Sequence, residues 1–412
     1  MTVINILKQD NYKGNAVLDH IHNLNYGRAV GSIGEKRAIR YIANQIISHN
    51  GNIQVEQFNY ISRNFMFKKM MRNVFLIIFG VISFSILQDV FNEFFFFSNI
   101  YLRFLEMFLI VTDFLMIVLS TYFFFTKYLP FNLKLITKFD RQFKAEKKNK
   151  SYNLVSNVEN RSLLKHQKGA IIFSAHYDSI STNYRLKYFF SQLFIIGITT
   201  AIYTNLTLPL FQHISYGTAL AIITSSLFLF KFENKSKGSI DNASGVALLL
   251  ELNQLFIKNP LNNFDMIFLW TGAEEIGLWG AREYCNHHFL ELSRKYDLNN
   301  SFYINLDMVG TQLGIIGKSI FSNKVKKNNS LSAKFLEISK KREIPVIQHK
   351  KSPFAISDNK VFEYYAEKYN IHLESCWINS KNDIKFIHSS KDTINLCSEY
   401  ELNKCFNVCQ EL

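Results

Sequence analysis

The apolar positions of the chain follow two patterns, which predict a globular domain interrupted by membrane-spanning segments. Outside residues 66–150 and 183–236, apolar residues recur at helix or strand spacing. Within these two ranges, long apolar segments alternate with stretches rich in Lys and Arg. The four segments are Val74–Gln88, Phe104–Phe125, Tyr188–Phe211 and Tyr216–Phe230. Their apolar lengths and basic flanks favour two transmembrane hairpins with their ends on the cytoplasmic side.

This pattern predicts a multi-pass membrane protein with four transmembrane helices. Both termini and the globular domain would then be cytoplasmic, and the lipid bilayer would be a partner. The predicted boundaries place the globular domain at 1–65, 151–182 and 237–412. Range 66–150 holds the first hairpin and a linker, and 183–236 holds the second.

Predicted strands and helices alternate through the globular part, which indicates an α/β fold. Ser32 and Glu35 form a capping box at the start of a helix within residues 14–50. Further helices are predicted at Val246–Ile257 and Leu278–Phe289. The predicted strands are Ile53–Ile61, Tyr152–Val155, Ala170–Ala175, Asp265–Thr271, Phe302–Leu306 and Ile371–Ile378. Such alternation is typical of a mixed, mainly parallel sheet with helices on both faces.

Composition narrows the class of protein. The chain has 412 residues, 48% of them apolar, so it can bury a full core. Its formal net charge of +14 is compatible with a nucleic-acid partner, but many of the Lys and Arg residues flank the apolar segments. No nucleic-acid-binding motif accompanies the charge, so we expect no such partner. The 5 Cys form no Cys-x-x-Cys pair, which makes a disulfide framework unlikely.

Two adjacent carboxylates, Glu274 and Glu275, follow the apolar strand Met266–Trp270 and are flanked by glycines. Neighbouring carboxylates repel one another unless a positive charge or a shared proton relieves them. The pair is therefore either a solvated acidic turn or part of a metal site, in which one acid binds the metal and the other handles protons.

Five metal-competent side chains follow strands or lie in loops of the globular part. They are His176, Asp241, Glu275, Asp307 and His388. Open α/β sheets place their ligand sites at the carboxyl ends of strands, so these positions can converge. Two imidazoles and three carboxylates suit two zinc ions with one bridging carboxylate. Each residue alone also has a structural explanation, as a core histidine, a cap or a turn acid.

The same stretches resemble the signature blocks of the co-catalytic zinc aminopeptidase family. In chain order they are SAHYDS, SIDNASGVALLLEL, TGAEEIGLWGA, INLDMVG and IHSSKDT. The family includes bacterial leucyl aminopeptidases, glutamate carboxypeptidase II and the glutaminyl cyclases. Upstream, GRAVGSIGEKRAIRYIANQI and VEQFNY resemble the helix and strand that open its domain. The resemblance covers nearly all of the sequence outside the apolar segments.

The resemblance implies a role for each position. Asp241 would bridge two Zn²⁺ ions, with a cis peptide to Asn242. Glu275 and His388 would complete one zinc site, and His176 and Asp307 the other. The remaining roles are Glu274 as general base, Asp178 as the acid that holds the ring of His176, and Ser357 and Asp358 as substrate-binding residues. Asn359 stands where the family commonly has His, which leaves the substrate preference open.

The implied function is that of a membrane-embedded, zinc-dependent exopeptidase. It would hydrolyse N-terminal peptide bonds of peptides or proteins with a zinc-activated water and the Glu274 base. One alternative is a glutaminyl-peptide cyclotransferase that binds a single zinc. Another is a non-catalytic membrane receptor that retains the fold. The six key side chains argue against the receptor, and the Asp-Asn-Ala-Ser-Gly block at Asp241 favours the peptidase over the cyclase.

Overall fold

The computed structural model of the chain describes residues 15–61, 149–160, 168–182, 232–316, 330–349, 356–380 and 383–412. The described α-helices are α1 (Asn15–Asn23), α2 (Ile33–Ser48), α3 (Ser244–Lys258), α4 (Trp279–Lys295), α5 (Ser330–Lys341), α6 (Asn359–Lys368) and α7 (Glu399–Cys409). The strands are β1 (Gln54–Tyr60), β2 (Asn149–Val158), β3 (Gly169–His176), β4 (Ser181–Thr182), β5 (Phe232–Glu233), β6 (Phe264–Thr271), β7 (Phe302–Leu306), β8 (Gly314–Ile316), β9 (Ile347–His349) and β10 (Glu374–Ile378).

Eight of these strands form one sheet in the order β1-β2-β6-β3-β7-β10-β8-β9. The central strands β6, β3, β7 and β10 run parallel to one another. The β1–β2, β2–β6 and β8–β10 pairs are antiparallel. The predicted α/β fold with a mixed, mainly parallel sheet is therefore confirmed. Since β6, β3, β7 and β10 point the same way, their carboxyl ends lie along one edge of the sheet.

Alternate residues of the central strands face two helical layers. Phe173 and Phe268 lie in the main apolar core together with Val246 and Leu249 of α3. On the opposite face, the ring of Tyr303 stacks on Phe362 of α6 with ring centroids 3.9 Å apart. Both faces of the sheet are thus covered, which explains why β3 and β6 are apolar at nearly every position rather than alternating.

The predicted helical region 14–50 is divided in two in the structure. Helix α1 ends at Asn23 and α2 begins at Ile33. Between them the backbone packs so closely on another loop that a Cβ on Gly27 would lie 2.4 Å from the carbonyl oxygen of Asn234. A contact between segments so far apart in sequence overrides the local helical pattern, which is why the break was not predicted.

The chain divides into two compact units. One comprises Met1–Tyr60, Ala145–Ser181 and Asn234–Leu412, and the other Ile61–Lys144 and Thr182–Glu233. A short two-stranded sheet pairs β4 with β5. The domain boundaries given from the sequence stay predictions, and the four apolar segments assigned to hairpins lie outside the described residues.

The predicted localisation, a multi-pass membrane protein with four transmembrane helices, is wrong for the part of the chain that the structure describes. None of the helices in these residues is long and apolar enough to cross a membrane. A helical span takes about 20 consecutive apolar residues. Helix α4, the longest of the described helices, has 17 residues and includes Arg282, Arg294 and Lys295.

The predicted capping box at the start of α2 is present in a modified form. The hydroxyl oxygen of Ser32 accepts the N–H of Glu35 at 3.1 Å. The Glu35 carboxylate accepts the N–H of Gly31 at 2.6 Å and the hydroxyl of Ser151 at 2.5 Å. Burial raises the pKa of Glu35 to about 7, against the two hydrogen bonds that lower it.

This raised pKa gives the fold a pH dependence that Glu35→Gln should remove. A carboxyl whose pKa rises from 4.5 to about 7 on folding stabilises the protein below pH 4.5, and this contribution is lost as the pH rises through 7. Between pH 4.5 and 7 we expect the free energy of unfolding of the wild type to fall by about 3 kcal/mol more than that of Glu35→Gln. Denaturant titrations at several pH values measure this difference. Replacing the exposed Glu291 by Gln is the control. Parallel curves for the wild type and Glu35→Gln would refute the account.

Candidate metal centre

The two carboxylate oxygens of Asp241 face two different histidines. Oδ1 lies 3.1 Å from Nε2 of His176, and Oδ2 lies 3.3 Å from Nε2 of His388. Asp241 is buried in a loop just before α3, where its backbone leaves the helical region and its peptide bond to Asn242 is cis. Although burial opposes it, hydrogen bonds from the two histidines lower the pKa of the Asp241 carboxyl.

Each histidine also meets a second acid, so that Asp241 belongs to two groups of possible metal ligands. His176, Asp241 and Asp307 form one group, and Asp241, Glu275 and His388 form the other; within each, the ligand atoms lie within 4.8 Å of one another. The Nε2 of His176 is 3.4 Å from Oδ1 of Asp307. The Nε2 of His388 is 2.9 Å from Oε2 of Glu275. The structure thus brings together all five residues that the sequence predicted as metal ligands.

The fold explains why these side chains meet. His176 is the last residue of β3, and Asp307 directly follows β7 and donates its N–H to Ile378 of β10 at 3.1 Å. Glu275 follows β6, and His388 lies in the loop after β10. The four positions therefore occupy the common carboxyl edge of the parallel strands, as expected for a ligand site in an open α/β sheet.

The donor set fits zinc. Imidazole nitrogens and carboxylate oxygens are the ligands that zinc takes at catalytic sites. The Nε2 atoms of both histidines point into the cluster, while Nδ1 of His176 faces the carbonyl oxygen of Asp178 at 3.2 Å. Among the described residues, the buried Oδ1 of Asp307 has no hydrogen-bond partner. A cation between these groups would satisfy that oxygen and relieve the repulsion among the acids.

The loop that carries Glu274 and Glu275 has an unusual backbone. Ala273 precedes the pair with φ of 58°, and Leu278 follows with φ of 56°, both in the left-handed region. Residues other than glycine seldom adopt this region, and those that do are frequent at functional sites. Met308 and His388 also have positive φ values, of 63° and 53°. Four of the seven non-glycine residues with positive φ in the described part of the chain therefore lie in loops of the cluster, while Asn50, Glu343 and Asn370 follow the ends of helices.

Asp178 holds this acidic loop more directly than it holds the histidine. Its Oδ1 accepts the N–H of Glu274 at 3.0 Å, and its Oδ2 accepts the N–H of Glu275 at 3.2 Å. The Oδ1 atom is 3.7 Å from Nδ1 of His176, beyond hydrogen-bond distance, and the backbone oxygen of Asp178 is nearer to that nitrogen. The role predicted for this carboxylate, orienting the ring, stays a prediction. The geometry adds a second role, in which Asp178 fixes the two glutamates.

Glu274 lies among other acids next to this cluster. Burial raises the pKa of its carboxyl well above the usual value; the charge of His176 lowers it, and the charges of Asp358, Glu275 and Asp307 raise it further. A raised pKa makes a carboxylate a stronger proton acceptor, which is what a general base requires. Glu274 therefore has the electrostatic environment of a general base.

The two predicted substrate-binding residues, Ser357 and Asp358, have no exposed surface. The Nδ2 of Asn305 donates to the hydroxyl oxygen of Ser357 at 2.7 Å. Asp358 accepts the hydroxyl of Thr271 at 2.5 Å, and burial raises the pKa of Asp358 to about 7. Direct substrate contact by Ser357 and Asp358 stays a prediction, since the contacts observed join them to β7 and to the end of β6.

One residue of the site was not singled out from the sequence. Asp392, which is fully buried, accepts the N–H of Ile240 at 2.7 Å and the N–H of Asp241 at 3.2 Å. Burial raises its pKa to about 6. The signal was available, since Asp392 lies in the IHSSKDT block, four residues after His388. Its partners are backbone groups more than a hundred residues away, however, and a short sequence motif does not indicate contacts with such distant groups.

The comparisons with known proteins agree with this geometry. Residues 153–412 match peptidase family M28. Over 76 residues the chain is 38% identical to the aminopeptidase YwaD of Bacillus subtilis (strain 168). That match covers 18% of this chain and 16% of the relative, so most of the relative's length lies outside it.

Two solved structures share the fold over most of their length. An aminopeptidase from Aneurinibacillus sp. strain AM-1 superimposes with a TM-score of 0.53 at 14% identity, over 96% of this chain and 92% of that one. A glutaminyl cyclase from Fimbriiglobus ruber gives a TM-score of 0.54 at 11% identity, over 98% and 95%. Identities this low show the fold alone. The family match spans more than half of the sequence and confirms the resemblance to the zinc aminopeptidases: the chain belongs to peptidase family M28.

Proposed function

We propose that this M28 peptidase is a two-zinc aminopeptidase that removes residues from the free N-termini of peptides or proteins. The observation that carries the proposal is the position of Asp241, whose two oxygens each face one group of ligands. A carboxylate placed in this way can bridge two metal ions, which would lie in His176–Asp241–Asp307 and in Asp241–Glu275–His388.

The protein residues have separable tasks in this reaction. Zinc, when bound, supplies Lewis acidity, which lowers the pKa of water and polarises a carbonyl group. Glu274 accepts the proton of the attacking water on its carboxylate and delivers it to the nitrogen of the departing amine. Asp178 keeps Glu274 in place through the backbone of the acidic loop. As the C–N bond breaks, the acyl carbon takes the hydroxyl of the water and the nitrogen takes the proton, so the atoms balance.

Replacement of Glu274 by Gln tests the assignment of the base. The amide keeps the shape of the side chain but does not accept the proton, so we expect kcat to fall about 10²- to 10⁴-fold while zinc stays bound. The measurements are steady-state kinetics and zinc content by atomic emission. The control is Glu291→Gln on the exposed surface of α4, whose side chain is 77% exposed. Unchanged turnover in Glu274→Gln would remove this residue from the mechanism.

A substrate panel separates the aminopeptidase from the other chemistries that this fold supports. Peptides with a free N-terminus, the same peptides acetylated at the N-terminus, and peptides that begin with Gln are incubated with and without a chelator, and the products are identified by mass. We expect N-terminal residues to be released from the free peptides only, and the chelator to stop the reaction. Loss of ammonia from N-terminal Gln without hydrolysis would identify a cyclase instead. Trimming from the C-terminus would identify a carboxypeptidase.

A further inference from the structure

Arg28 has no exposed surface and lies in the segment between α1 and α2. All three of its side-chain nitrogens donate to backbone carbonyl oxygens. The acceptors are Tyr177 at 2.7 Å, Lys237 at 2.6 Å, Gly238 at 2.8 Å, Tyr26 at 3.2 Å, and Leu24. A buried guanidinium usually pairs with a carboxylate, since an unpaired buried charge is costly. Within the described part of the chain, no carboxylate lies at ion-pair distance from Arg28.

The charge of Arg28 is instead balanced at longer range by the acids of the metal centre. Burial lowers the pKa of the guanidinium, and the charges of Tyr26, Asp392, Asp178 and Asp241 raise it. Asp178 and Asp392 are the two acids that bind the backbone of ligand loops. The negative charges of these acids therefore favour the charged form of Arg28, while its guanidinium donates its hydrogen bonds to backbone carbonyl groups.

Three of the five carbonyl groups that Arg28 binds, those of Tyr177, Lys237 and Gly238, belong to two of the ligand loops. Tyr177 directly follows His176, and Lys237 and Gly238 shortly precede Asp241. The loops are packed closely around the guanidinium. A Cβ on Gly238, where φ is +58°, would lie 2.8 Å from a terminal nitrogen of Arg28 and 2.6 Å from the carbonyl oxygen of Asp241. The backbone of Arg28 joins in, because its N–H donates to the hydroxyl oxygen of Ser179 at 2.9 Å.

The loop before α3 is thus held from two directions. Arg28 binds its carbonyl oxygens at 237 and 238, and Asp392 binds its N–H groups at 240 and 241. Hydrogen bonds in which one partner is charged are stronger than neutral ones, typically about twofold. Between these two anchors, Asp241 has little freedom to move its carboxylate away from His176 and His388.

We propose that Arg28 is a positioning residue of the metal centre, whose guanidinium holds the turn after His176 and the loop before Asp241 at the spacing that lets both side chains bind one metal ion. The proposal rests on the zinc centre proposed above. It does not depend on which bond the enzyme cleaves, because metal binding can be measured without a substrate.

The test compares Arg28→Met and Arg28→Lys with the wild type. Methionine fills part of the volume without donors, and lysine restores the charge with a single donor nitrogen that cannot reach all of the carbonyl groups. After zinc is stripped from the full chain, zinc affinity is measured by competition with a chromophoric chelator. Removal of a group that orients metal ligands typically weakens binding about 10- to 100-fold, which we expect for Arg28→Met. We expect Arg28→Lys to recover part of that loss.

A control must separate positioning from general destabilisation. Phe335 is fully buried on α5, a helix that contacts β10 and α7, and it is not among the residues that bind the ligand loops. Phe335→Leu should lower the melting temperature yet bind zinc as the wild type does. Visible absorption of the Co²⁺-loaded proteins adds a readout of ligand geometry. We expect the cobalt bands to change in Arg28→Met and to stay unchanged in Phe335→Leu.

These measurements distinguish a failure of the positioning role of Arg28 from a failure of the proposed peptidase activity. Wild-type zinc affinity and cobalt bands in Arg28→Met would overturn the positioning role, and so would an equal loss of affinity in Phe335→Leu. If Arg28→Met does not fold, the comparison of Arg28→Lys with Phe335→Leu decides in the same way. A wild type that binds zinc but cleaves no peptide would contradict the proposed function and leave the role of Arg28 standing.

Discussion

The shared carboxylate of Asp241 is the interaction on which the rest of the site depends. It lies between two histidines, each of which also faces a further acid. Burial raises the pKa values of Glu274, Glu275 and Asp358, and the charges of neighbouring acids raise them further. A metal ion bound among these groups would balance their negative charge and lower their pKa values.

The sheet determines where the acids of the site lie, and three buried residues hold the loops that carry them. Parallel β3, β6, β7 and β10 bring their carboxyl ends to one edge. Strand ends alone leave the loops free to move. Asp178 binds the backbone of the acidic loop, while Asp392 and Arg28 bind the loop of Asp241. Each of these three residues is fully buried and directs its hydrogen bonds to main-chain groups of the loops that carry the candidate metal ligands.

The fold class and the five candidate metal ligands could be predicted because each follows from a pattern that is local in sequence. Strand-forming runs end directly at His176 and Asp307, and the motif TGAEEIGLWGA itself contains Glu274 and Glu275. The roles of Arg28 and Asp392 could not be predicted, because their partners are backbone groups in distant segments. The same reason explains the break between α1 and α2, where Gly27 packs against Asn234. Apolar length predicted transmembrane helices, yet none of the helices described in the structure has the properties of one.

The central claim is that one carboxylate serves two metal ions. Anomalous diffraction from a crystal of the zinc-loaded protein, recorded at the zinc absorption edge, tests it directly. The account predicts two zinc peaks, one beside His176 and Asp307 and one beside Glu275 and His388, with an oxygen of Asp241 bound to each. A single peak, or two peaks with Asp241 bound to only one of them, would contradict it.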